Sequence, residues 1–82
     1  MKVYIVYKEY LNWAENNGTE IVNVYDSSDN AKKVLEKIYE EEMQYLKEEE
    51  YKIVAIKMSE CFAEISTVYG DIKICISCKE VK

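Results

Sequence analysis

Three cysteines and a run of glutamates are the residues of this chain whose types could do chemistry. Cys75-Ile76-Ser77-Cys78 has the spacing of a redox dithiol, a chemistry that needs its first thiol at a helix N-terminus, where the dipole lowers its pKa. Here the pair falls in a stretch that alternates like a strand, and an odd separation sends the two side chains to opposite faces. Cys61 and Cys78 share a face as diagonal neighbours, ~7–8 Å apart by Cα, which exceeds normal disulfide geometry. The cysteines therefore read as structural thiols, and their odd number points to a reducing cytoplasm. Zinc would need a fourth ligand, and the chain has no histidine, which leaves only a site shared across a dimer. No histidine base and no nucleophile motif supports hydrolytic or acid–base catalysis. With Gly18 and Gly70 the only glycines, there is no phosphate loop. Glutamates in runs of two and three on a helix fan out around its axis instead of converging on a cation. No catalytic residue, metal or cofactor is expected.

Charge placement is more informative than charge type. The chain of 82 residues carries a net charge of −5. Residues 36–50 hold Glu36, Glu40, Glu41, Glu42, Glu48, Glu49 and Glu50 against Lys37 and Lys47, which already gives −5. Elsewhere nine acidic and nine basic residues cancel. Direct nucleic-acid binding is disfavoured, because a basic stripe would have to supply most of its affinity. No stretch approaches the ~20 apolar residues that span a bilayer, and nothing near the start resembles a signal peptide.

The elements that position these residues are legible from period and punctuation. Residues 2–10 alternate as a strand with both faces rather apolar. A connector with a turn signal at Asn17–Gly18 follows. Trp13 lies within it, either capping one end of the core or serving as an aromatic anchor for a partner. Residues 20–25 form a second strand, antiparallel to the first, that runs into a helix cap. Ser27 is a good N-cap, and Asp26 and Asp29 suit the positive end of the helix dipole. Ala31, Val34, Leu35 and Ile38 make one buried face. Its continuation brings in Glu42, Tyr45, Leu46 and Glu49, two carboxylates on an apolar stripe.

Length offers a way out of that conflict. A helix of about 22 residues spans ~33 Å, whereas strands of five or six residues span ~17–20 Å. The second half of the helix is therefore expected to overhang the sheet, with Glu42 at the rim and Met43, Tyr45 and Leu46 partly exposed. The rival is a helix that breaks near Glu40–Glu42. Residues 51–59 and 61–69 read as further strands, and Gly70–Asp71 reads as a two-residue II′ hairpin loop. Pairing Tyr69 with Ile72 puts Thr67 opposite Ile74, Ile65 opposite Ile76 and Ala63 opposite Cys78, all on one apolar face. The expected fold is one α+β domain in two layers. Its order is ββαβββ, an antiparallel sheet of about five strands with one long helix on one face.

The segments KVYIVYKEY and EIVNVYDSSDNAKKVL resemble a group of small proteins common in Firmicutes and their phages. These open with a β-hairpin and step into a helix, here through Val24, Tyr25, Asp26 and Ser27 to an early Ala31. The resemblance covers roughly the first 40 residues and implies a fold and a genomic setting. Size, acidity and layout are similar, at class level, to small phage inhibitors of host defence, including anti-CRISPR proteins. The expected function is that of a cytoplasmic, non-enzymatic protein-binding module, an inhibitor that mimics nucleic acid. Its acidic helix would dock on a basic partner, a nucleic-acid-binding host defence protein being the candidate. The residues expected to make that contact are Glu36, Glu40, Glu41, Glu42, Met43, Tyr45, Leu46, Glu48, Glu49 and Trp13. The alternative is a homo-oligomer, a homodimer at its simplest, that associates through the uncovered sheet face or an edge strand. Tyr4 and Val6 motivate that alternative.

Overall fold

The computed structural model of the protein describes residues 1–11, 13 and 17–81. Six elements follow in the expected order: β1 (Lys2–Leu11), β2 (Gly18–Tyr25), α1 (Ser28–Glu48), β3 (Ile53–Met58), β4 (Phe62–Thr67) and β5 (Asp71–Glu80). The strands form one antiparallel sheet of order β2-β1-β5-β4-β3. β1 and β5 pair along their whole length, from Lys2 opposite Glu80 to Leu11 opposite Asp71. β1 is thus an inner strand, and the apolar residues of its second face remain partly exposed.

Helix α1 lies across β1 and β5 on one face. Ser27 caps it, its hydroxyl accepting from the Asn30 N–H at 3.4 Å. Two buried clusters lie beneath it. One joins Ala31, Leu35 and Ile38 of the helix to Val6, Ala63 and Ile74 of the sheet. The other joins Leu46 to Ile65 and Ile72, with Tyr10, Trp13, Met43, Tyr51 and Ile53 packed around it. Val6, Leu46, Ile65 and Ile74 are essentially sealed from solvent, each stabilising the fold by about 1.5–3 kcal/mol relative to exposure.

The expected overhang does not occur. β1 and β5 have 10 residues each, so at ~3.4 Å per residue they run ~34 Å. That matches the ~32 Å of the 21-residue helix at 1.5 Å per residue. The helix is supported to its end, without a break at Glu40–Glu42, and Leu46 is buried. Tyr4 and Val6 also lie on the covered face, Val6 fully buried and Tyr4 packed against the first cluster. The uncovered face of β1 presents Val3, Ile5 and Tyr7 instead.

The second hairpin keeps its expected faces but not its register. Ile65 pairs with Ile72, Ala63 with Ile74 and Ser66 with Asp71, leaving the loop 67–70. The displacement is an even number of residues, so every side chain stays on its face. The Thr67 hydroxyl organises the loop. It donates to the Gly70 carbonyl at 2.7 Å and accepts from the N–H groups of Tyr69 and Gly70, each at 3.1 Å. A II′ turn would need a positive φ at Gly70, and Gly70 has none. The glycine serves close approach: a Cβ there would stand 2.7–2.8 Å from three indole atoms of Trp13.

Candidate functional site

The central charge on each apolar stripe finds its partner on the other. Lys8 sits between Val6 and Tyr10 on the covered face of β1, and Glu42 sits between Ile38 and Leu46 on the covered face of α1. Lys8 Nζ and Glu42 Oε1 meet at 3.4 Å, with only 19% and 17% of the two side chains exposed. The pair fills the seam between the two apolar clusters. Burial is the largest influence on Lys8 and pulls its pKa down. Tyr10 and Glu42 together outweigh it, so the net shift is upward. Glu42 therefore belongs to the core and is not a free docking carboxylate.

The other expected contact residues divide sharply. Leu46 is buried and presents no apolar anchor; Met43 is packed against the second cluster but stays partly exposed, as expected, and lines a groove on the helix flank. Trp13 is half-buried. Its indole N–H donates to the Asp71 carbonyl at 2.8 Å and its ring stands edge-on to Tyr51 at 5.7 Å between centroids. It locks the loop between β4 and β5 onto the end of the core. Glu36, Glu40, Glu41, Glu48 and Glu49 remain exposed on the outer and end surfaces of α1. Among the described residues none of these five enters an ion pair within 4 Å, although Gln44 donates to Glu48 at 3.1 Å. Tyr45 is 51% exposed beside them.

The end of the helix holds features not expected from the sequence. The Tyr51 N–H bonds the Leu46 carbonyl at 2.9 Å, and the Glu50 N–H bonds the Lys47 carbonyl at 3.2 Å. That is a Schellman ending, whose left-handed position is usually glycine. Glu50 occupies it with φ 61°. Glu48, Glu49 and Glu50 thus gather at the negative pole of the helix, where carboxylates are disfavoured by about 0.3–1 kcal/mol each.

Aromatic rings crowd the same end. Tyr51 packs edge-on against the exposed Tyr69 at 5.4 Å and lies 6.4 Å from Tyr45. The Tyr45 phenol is pushed above its ordinary pKa, first by Tyr51, then by slight desolvation, with Glu49 and Glu42 adding to it. Tyr51 and Tyr69 carried no sequence signal beyond aromatic strand propensity.

Beside this end a shallow groove runs along the helix flank, lined by Tyr39, Glu40, Met43, Gln44 and Lys47. Among the described residues no three acidic or thiol groups converge as metal ligands do, and the three cysteines are free. No helix of the described chain is long and apolar enough to cross a membrane. Comparison with known proteins finds no matching family model, curated protein or solved structure.

Proposed function

We propose that the protein is a non-enzymatic binding module that inhibits a basic, nucleic-acid-handling partner in the cytoplasm, as small phage-borne inhibitors of host defence do. The contact surface is the outer flank and C-terminal end of α1: Glu36, Glu40, Glu41, Glu48 and Glu49, joined by Glu50 and Tyr45. One observation carries the reading. Glu48, Glu49 and Glu50 stand where the helix dipole repels them, the last in a backbone conformation that glycine adopts at lower cost. Among the described residues only Lys47 of the last turn and the Gln44 amide on Glu48 offset them, and local rules broken with so little compensation are what a binding surface leaves behind. A cationic groove supplies the missing compensation. The exposed Tyr45 ring, with Glu49 and Glu42 nearby, suits arginine, which pairs with carboxylates and stacks on aromatic faces. Three free cysteines support the reducing compartment.

The test is a charge reversal that spares the core. Glu40→Lys, Glu41→Lys and Glu48→Lys are combined, leaving Glu42 to hold Lys8. Wild type and variant are used to capture proteins from a host lysate. Partners retained only by wild type are then purified and assayed for displacement of a labelled DNA duplex. The expected result is displacement by wild type that weakens steeply with salt, and none by the variant, whose circular dichroism stays native. Equal capture and displacement by both proteins rejects the assignment.

A further inference from the structure

We propose that the free edge of β2 pairs with the same edge of a second copy of this chain, antiparallel about a two-fold axis, joining two five-stranded sheets into one. This goes beyond the contact assigned to α1: the seam itself is an edge of the sheet.

Among the described residues β2 is an edge strand of 8 residues, bonded to β1 on one side only. Its other side is a row of backbone groups open to another strand. The Val24 N–H is held by its neighbour's side chain, Asn23 Oδ1 at 2.8 Å. A partner's carbonyl can take the place of that amide oxygen. The side chains suit a seam. Ile21 and Val24 are 66% and 49% exposed on the uncovered face, where they stand opposite Tyr7 and Ile5 of β1. Val22, left without a partner at the irregularity of β2, is 37% exposed. Joining two copies extends the row of Val3, Ile5 and Tyr7 across the axis and withdraws Ile21 and Val24 from water.

Charge selects both the edge and the occupant. Glu20 is the only charge on β2, and the strand lacks the lysine or proline that guards natural edges. The opposite edge, β3, carries Lys57 and is preceded by Lys52. A second copy also complements the first along its length. The end of α1 near Tyr4 and Tyr25 carries Lys32, Lys33 and Lys37 against Asp29 and Glu36, and the end near Tyr10 carries Glu40, Glu41, Glu48 and Glu49 against Lys47. Antiparallel pairing lays the acidic half of each helix alongside the lysine-bearing half of the other. A parallel arrangement would set acidic half beside acidic half in two chains that each carry −5.

Sedimentation equilibrium of the full chain, from low micromolar to near-millimolar, tests the pairing together with amide hydrogen exchange at both ends of that range. The expected result is a dimer whose formation adds protection at residues 22–25. Val22→Lys, and separately Val24→Pro, should weaken it by about tenfold or more. Ile56→Lys on β3 should leave it unchanged. A monomer throughout the range overturns the proposal. So does a dimer lost on Ile56→Lys but kept on Val22→Lys. If either β2 variant fails to fold, the exchange of the wild type still decides, because β2 protection independent of concentration refutes the seam.

Discussion

Glu42→Leu and Lys8→Met each strip one partner from a pair buried between two apolar clusters, and their cost can be worked from the geometry. At 3.4 Å and an effective dielectric of about 20, the attraction is roughly 5 kcal/mol. Withdrawing two ions from water costs several kcal/mol each, so the intact pair contributes little net stability. Breaking it is another matter. A fully buried partner left alone costs about 3–5 kcal/mol, and the residual exposure of both side chains brings that to about 2 kcal/mol here. In a domain of this size about 2 kcal/mol lowers Tm by ~8–16 °C. The double variant Lys8→Met/Glu42→Leu replaces the pair by apolar atoms that join the two clusters, and should fall within about 1 kcal/mol of wild type. Urea denaturation of the four proteins closes the cycle, with equal m-values confirming that the unfolded states compare. Single variants within about 0.5 kcal/mol of wild type, or a double variant that costs the sum of the singles, would refute this account.

Two further stability changes follow from the same structure. Glu50→Gly should raise stability by about 1 kcal/mol, relieving a left-handed residue and removing a carboxylate from the negative helix pole. Glu50→Ala, which removes only the charge, should gain less; an equal gain would show that backbone strain plays no part. Stability should also fall on the alkaline side. Burial raises the Cys75 thiol from its ordinary 9.0, and the contact with that thiol leads the rise of Tyr7 from 10.0. Lys8 rises from 10.5. Groups raised in the folded state keep their full contribution below the unfolded value and lose it as pH climbs through the folded one. Urea midpoints should therefore hold level up to pH 9.0 and decline above it. Cys75→Ala removes the thiol and with it the leading cause of the Tyr7 rise, so the onset should move towards 10.5, where Lys8 begins, and the decline should shrink; an onset unmoved by that substitution would exclude the thiol.

Period and capping made the element order legible, because Ala31, Leu35 and Ile38 at helical spacing and Ala63, Ile65 and Thr67 at strand spacing each commit a whole face. Register and length were not legible in the same way. An even slip of the β4–β5 pairing changes no face, so the apolar pattern cannot choose between registers. The decision fell to the Thr67 hydroxyl and to Trp13 pressing on Gly70. Strand length mattered more. Only with β1 and β5 twice as long as an ordinary strand does the core reach Leu46, and that removes the room for an overhang. Lys8 and Glu42 were each visible as a charge on an apolar stripe, and each alone argued that its stripe was interrupted. Two such interruptions of opposite sign, one on a strand and one on the helix that must cover it, are instead evidence that the stripes face each other. Once Glu42 is assigned to the core, the carboxylates still without a role in folding are Glu36, Glu40 and Glu41 on the outer flank and Glu48, Glu49 and Glu50 at the tip. The fold tolerates those last three against its own helix dipole, and the proposed contact rests on that cost.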